Sequence, residues 1–158
     1  MFALFKKLSQ QEDGVILTET LIALPVLILI SITFVEFGNI MWQRQQLQAG
    51  VEDAARYWSR CRPKTGAQED FMSCSVETAR LIAFTGSPSP EGGASRVPGW
   101  GNISELTISP EVPETRPTKD SLVLVSGTVT YRATPWTARF VPDGITMSYY
   151  HQMRYVGW

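Results

Sequence analysis

The chain has 158 residues, with 14 basic side chains against 15 acidic ones and a formal charge of −1. That length accommodates one small domain plus a membrane anchor. The charges are nearly balanced and form no basic block beyond Arg56, Arg60, Arg62 and Lys64, which points away from nucleic acid as a partner. The apolar residues are unevenly spread, concentrating between Leu21 and Val35.

Met1 to Gly14 reads as a polar leader, and a long helix is predicted from Val15 onward. From Val15 to Val35 a helix rises ~31 Å, about the thickness of one bilayer core. A removable secretory signal would have a shorter apolar centre with a small-x-small cleavage site directly after it. Glu36-Phe-Gly-Asn-Ile-Met-Trp-Gln follows instead, so this helix is expected to stay with the protein, with Trp42 at the level of an interfacial aromatic. Pro25 removes one helical hydrogen bond and is expected to kink the helix, which membrane helices tolerate. Glu19 is the unusual residue. An ionised carboxylate in hydrocarbon costs at least ~2.5–3.5 kcal/mol and marks a functional candidate. It needs a proton or a cation to meet it. Glu36, at the far end of the run, is expected in solvent.

Beyond Trp42 the helix is expected to continue into water. Leu47, Val51, Ala54 and Trp58 recur at intervals of three and four among polar neighbours, the helical period of a buried stripe. Gly50 weakens such a helix by ~1 kcal/mol relative to alanine, and Cys61-Arg62-Pro63 should end it. A second helix is predicted over Glu69–Gly86, with Val76, Ala79, Ile82 and Ala83 on one face and Gly86 as its stop. Cys61 and Cys74 admit two readings, a disulfide or two buried free thiols. A bridge closing a loop of this size would stabilise by ~3 kcal/mol in the chain-entropy model and would form in an oxidising compartment. Zinc is disfavoured, since no Cys-x-x-Cys occurs and His151 is the only histidine.

Ser87–Gly101 is rich in proline, glycine and serine and reads as a loop. Three strands are then predicted: Ile103–Ser109, Leu122–Ala133 and Ile145–Val156. Between the first two lies a proline-rich loop over Pro110–Lys119, and before the last a connector over Thr134–Pro142 and a turn at Asp143-Gly144. In the second strand Val123, Val125, Val129 and Tyr131 fall on one side. In the third Ile145, Met147, Tyr149, His151, Met153 and Tyr155 do so. The expected fold is α+β: a long N-terminal helix, membrane-spanning in its first half, packed on a short helix and a small antiparallel three-stranded sheet. The expected segments are a leader at 1–14, the helix at 15–60 and an α+β domain at 61–158.

Gly14, then Val15-Ile16-Leu17-Thr18, then Glu19 and a hydrophobic helix resemble the processing site of type IV pilin-like proteins. Pro25 at the eleventh position after Gly14 and the small residues ending in Ala54-Ala55-Arg56 look like the TadE-like minor pilins of Flp/Tad systems. The resemblance covers about Asp13 to Arg60, and Thr20 stands where that family usually has an aromatic residue. It implies cleavage between Gly14 and Val15 by a prepilin peptidase on the cytoplasmic side. The new ammonium of Val15 would then meet Glu19 in the same or an adjacent subunit. It also implies a bacterial inner-membrane protein, its C-terminal domain periplasmic and its partners inner-membrane lipid, other pilin subunits and a Tad assembly platform. The positive-inside count alone is ambiguous, with Lys6 and Lys7 on one side and Arg44, Arg56, Arg60 and Arg62 on the other.

No catalytic motif occurs: neither Gly-x-Ser-x-Gly, nor a phosphate-binding Gly-Lys-Ser/Thr loop, nor His-Glu-x-x-His. No enzyme activity and no cofactor are expected. Glu52 and Asp53 are adjacent, so on a helix they point about 100° apart. The competing reading is a periplasmic binding module on an uncleaved anchor, using Trp100 and Trp136 as a glycan platform.

Overall fold

The computed structural model describes residues 13–61, 74–89, 93–111, 120–141 and 144–156. They form helix α1 (Asp13–Ser59), helix α2 (Val76–Thr85), a 3-10 turn (Ile103–Glu105), and strands β1 (Leu106–Ser109), β2 (Leu122–Thr130) and β3 (Thr146–Arg154). The class is the expected α+β. The chain divides into two units, residues 1–38 and residues 39–158.

The described part of the first unit is the N-terminal half of α1. Its large apolar side chains are exposed all round, from Val15 and Ile16 to Phe34, Val35 and Phe37. Every hydroxyl of the apolar run bonds back into its own helix. Thr18 donates to the Val15 carbonyl (2.8 Å), Thr20 to Ile16 (2.7 Å), Ser31 to Leu27 (2.8 Å) and Thr33 to Leu29 (2.9 Å). Hydrocarbon offers no outside partner for such groups. This is the one helix among the described residues long and apolar enough to cross a membrane. Glu36, expected in solvent, is buried and engaged in an interaction, as a buried carboxylate must be.

The second unit holds the core. Leu47, Val51, Ala54, Ala55 and Trp58 of α1 pack with Ala79 and Ala83 of α2, with Val97 and Trp100, and with the inner face of the sheet: Leu106, Ile108, Val123, Val125 and Val129. The sheet order is β1-β2-β3, all antiparallel. Leu106 stands opposite Gly127, and Val125 is flanked by Ile108 and His151. β2 alternates as expected, with Val123, Val125 and Val129 inward.

Four boundaries differ from the sequence reading, each through a specific competing bond. The segment Ile103–Glu105 is a 3-10 turn instead of strand. The Glu105 carboxylate accepts the amides of Gly101 and Asn102 at 3.0 Å each, a local side-chain bond that displaces the ladder. β2 ends at Thr130, short of Ala133. Arg132 there exchanges both backbone bonds with the Gln43 side chain, its carbonyl at 2.7 Å and its amide at 3.2 Å. β3 stops at Arg154: Tyr155 still donates to its register partner Ser121, but the next amide, Val156, leaves the ladder for the Ser59 carbonyl. α2 starts at Val76, with Ser75 as its N-cap accepting from the Glu77 amide. The predicted start over 69–73 lies outside the described residues. Gly86 closes α2 in the left-handed conformation, φ 80°, its N–H donating to Ile82, as read from sequence.

Gly50 is more than a weak helix residue. A Cβ there would meet the Ala83 carbonyl oxygen at 2.5 Å and the Trp100 ring at 2.9 Å. The carbonyl belongs to a capped helix whose next residue, Phe84, accepts the Arg96 amide at 2.7 Å, so it has little freedom to retreat. Overpacking of this kind costs ~1–3 kcal/mol, whereas the helix-propensity gain of glycine to alanine is ~1 kcal/mol. Gly50→Ala is therefore expected to lower the thermal midpoint of the domain, followed by circular dichroism. An unchanged or raised midpoint would contradict this close approach.

Candidate functional site

The residues singled out in sequence lie at the start of α1. Gly14 and Val15 are in its first turn, and Glu19 follows Val15 by four positions. At that spacing two residues share one helix face. Side chains on a helix lean toward its N-terminus, so Glu19 leans toward Val15. Glu19 is exposed. A Cβ on Gly14 would meet nothing within 4 Å, so the fold itself places no demand for glycine there. Pro25 lies inside α1, and helix continues on both sides of it. It removes the amide that would bond the Leu21 carbonyl.

Cys61 and Cys74 form a disulfide with Cα atoms 5.6 Å apart, and no cysteine is free. The separation is ordinary for the bond. It ties the residue just past α1 to the residue just before the cap of α2.

The acids of the helical stripe are absorbed into local pairs. Asp53 takes Arg96 at 2.8 Å, while Glu52 accepts the Tyr149 hydroxyl at 3.3 Å and faces Arg56 at 3.6 Å. The adjacent acids share Arg56, which is also 3.9 Å from Asp53, but their other partners differ. Burial, and then the neighbouring Glu52 carboxylate, raise Tyr149 above the usual phenol range. His151 is half-buried and stacks with Tyr149, ring centroids 6.5 Å apart. A cleft of about 580 Å³ opens beside Gly99, Glu105, Thr130 and Arg132, but its one carboxylate, Glu105, is held by two backbone amides. Among the described residues, no three His, Cys, Asp or Glu side chains converge on a metal-sized site.

The pairing of Trp100 with Trp136 as a surface platform is not realised. Trp100 is in the core, edge-on to Phe84 at 4.8 Å, because the Gly50 notch admits its ring. Trp136 is exposed. The residues missed in sequence are Asn39 and Gln43. Asn39 donates to the Tyr131 hydroxyl (3.1 Å) and the Arg132 carbonyl (3.3 Å), and Gln43 donates to Asn39 (3.1 Å) as well as to Arg132. Their signal was the spacing: 39, 43, 47 and 51 continue the buried stripe by steps of four.

Residues 14–56 match the family model described as TadE-like protein. The matched segment opens on Gly14 and takes in Glu19, Pro25 and most of the helical stripe. Over that segment the chain is similar to TadE-like proteins. No curated protein and no solved structure gives a match.

The bridge is the one covalent constraint between α1 and α2 besides the backbone. Replacing both cysteines by serine is expected to lower stability by ~3 kcal/mol. Urea unfolding of the domain measures it, and equal midpoints for the oxidised protein and the double variant would remove the bridge from the stability account.

Proposed function

We propose that this chain is a structural minor pilin or pseudopilin of a Flp/Tad-type machine, serving pilus assembly, adhesion or secretion, with no enzymatic role of its own. The observation that carries this reading is the match beginning at Gly14, on a helix whose large apolar side chains are exposed from Val15 to Phe37 and whose fifth residue beyond that glycine is an acid. An apolar surface of that extent requires either lipid or neighbouring helices around it.

In this reading the helix anchors the chain once in the bacterial inner membrane, leader in the cytoplasm and the domain in the periplasm. A prepilin peptidase cuts between Gly14 and Val15. The Val15 ammonium, one helical turn from Glu19, supplies the cation that the carboxylate needs in a dry environment. The same pair can form between neighbouring subunits, where it sets the axial register of packed helices more than it adds stability. Pro25 leaves the Leu21 carbonyl without its helical donor and gives the helix a place to bend or locally open on packing. The partners are the peptidase, other pilin subunits, the Tad assembly platform and membrane lipid.

The alternative, a binding module on an uncleaved anchor, retains Met1 in the native protein. Intact-mass spectrometry of the protein from its native membrane separates the two readings, and a mass that includes residues 1–14 sinks the pilin reading.

Gly14→Ala is expected to block or sharply slow cleavage. A Cβ at Gly14 meets nothing within 4 Å among the described residues, so a defect reports the peptidase and not misfolding. Mutant and wild type both running at the mature size on a gel would refute it. Glu19→Ala is expected to be cleaved normally and to enter assemblies poorly. Wild-type incorporation, scored by co-purification with the assembled fibre or platform, would exclude the pairing role.

A further inference from the structure

The connector between β2 and β3 carries the two most exposed large apolar side chains of the described residues, Trp136 at 84% and Phe140 at 83%. The segment is wound in helical turns. The amide of Ala138 reaches the Thr134 carbonyl at 2.9 Å and that of Val141 reaches Thr137 at 2.9 Å, and the hydroxyls of Thr134 and Thr137 pair at 2.9 Å. Four residues apart on such turns, Trp136 and Phe140 project to the same side. Arg132 and Arg139 beside them are also exposed. Single exposed apolar residues are ordinary, but an adjoining pair of large aromatics rimmed by cations is a contact surface.

The base of this connector has a fixed place in the domain. Arg132 and Tyr131 are held by Asn39 and Gln43. At the other end of the strand Ser121 accepts Tyr155, and the next residue, Val156, donates to Ser59. β2 therefore runs antiparallel to the segment Asn39–Ser59 and returns the chain to the residues that directly follow the apolar run, which ends at Phe37. Three aromatics thus gather at that end of the domain: Trp42, exposed at 47%, Trp136 and Phe140.

We propose that residues 134–141 are a second membrane contact: Trp136 and Phe140 enter the boundary between headgroups and acyl chains of the bilayer that holds α1, while Arg132 and Arg139 meet lipid phosphates. This rests on the reading of α1 as a membrane span. Tryptophan gathers at this depth because its ring is apolar and its N–H polar, and long cationic side chains extend from apolar contacts to reach headgroups. Continuity selects lipid as the occupant: the connector is fastened to the first turn beyond the apolar helix, where the membrane surface has to be.

The test uses the full chain with 5-fluorotryptophan, in vesicles of phosphatidylethanolamine and phosphatidylglycerol, with and without lipid bearing a nitroxide near the headgroup. Trp42→Phe and Trp136→Phe, both at exposed positions, assign the two fluorine signals. The expected result is that the Trp42 and Trp136 signals both lose most of their intensity to the nitroxide, while buried Trp58 and Trp100 keep theirs. Loss at Trp42 with an unchanged Trp136 overturns the connector contact and leaves the span intact, pointing instead to a protein partner for the aromatic pair. No loss at either overturns the span, and the connector contact with it.

Discussion

The structure depends on one helix meeting two environments in succession. In the first half of α1 no face is spared apolar side chains, and every hydroxyl is consumed by the helix itself. In the second half the same helix keeps one stripe, from Leu47 to Trp58, and gives its other faces to Arg44, Gln45 and Arg56. A helix apolar on all sides requires lipid or other helices, whereas a striped one requires a sheet or helix on one side. The change falls between Phe37 and Gln43, and the chain marks it with amides. Gln43 is fully buried, yet both ends of its side chain are bonded to the backbone of Arg132. A buried amide left unpaired would cost ~1–3 kcal/mol, so these bonds specify where β2 ends against α1 as well as holding it there.

The remaining architecture follows from how closely α1 is approached. Glycine occurs where backbones or rings come nearest: Gly50 under Ala83 and Trp100, and Gly127 of β2, where a Cβ would meet Val51 at 2.7 Å and Leu47 at 3.1 Å. These two notches let α2 and the centre of the sheet rest on the same short stretch of helix. The disulfide closes the third side, joining the exit of α1 to the entrance of α2. A three-stranded sheet has only one inner face to bury, so it gains order from such a rigid partner.

Much of this was legible in sequence because it is periodic or punctuated. The steps of three and four in α1, the alternation of Val123, Val125 and Val129, the stop at Gly86 and the apolar run need only local information. What was not legible was contact at a distance. Gly50 reads as a flaw until Ala83 is seen beside it, and the notch that seats Trp100 in the core is visible only once the two segments are brought together. The strand ends at Thr130 and Arg154 are set by Gln43 and Ser59, both distant in sequence. The 3-10 turn at Ile103–Glu105 depended on which way one carboxylate turned. The candidate site shows the converse. Gly14, Val15, Glu19 and Pro25 stand out as a pattern, yet all four are exposed and no core is built around them by the described residues.

That emptiness has a consequence for how the molecule is organised. Every residue of the buried core lies at or beyond Leu47, so the apolar half of α1 contributes nothing to the interior of the domain. Substitutions of the exposed apolar residues between Val15 and Val35 can alter lipid contact or helix packing while leaving that interior untouched. Selection on the two halves is correspondingly separable. The N-terminal half answers to whatever surrounds its exposed apolar side chains, and the domain answers to its own packing density. Asn39 and Gln43 are where the two requirements meet, since they follow the apolar run within the same helix and complete the hydrogen bonding at the end of β2. A polar residue there is tolerable only if paired, and the Tyr131–Arg132 backbone and hydroxyl supply that pairing. The domain therefore needs the first turns after the apolar run as part of its own fold, which is why its boundary falls at Asn39 instead of at the end of the helix near Ser59.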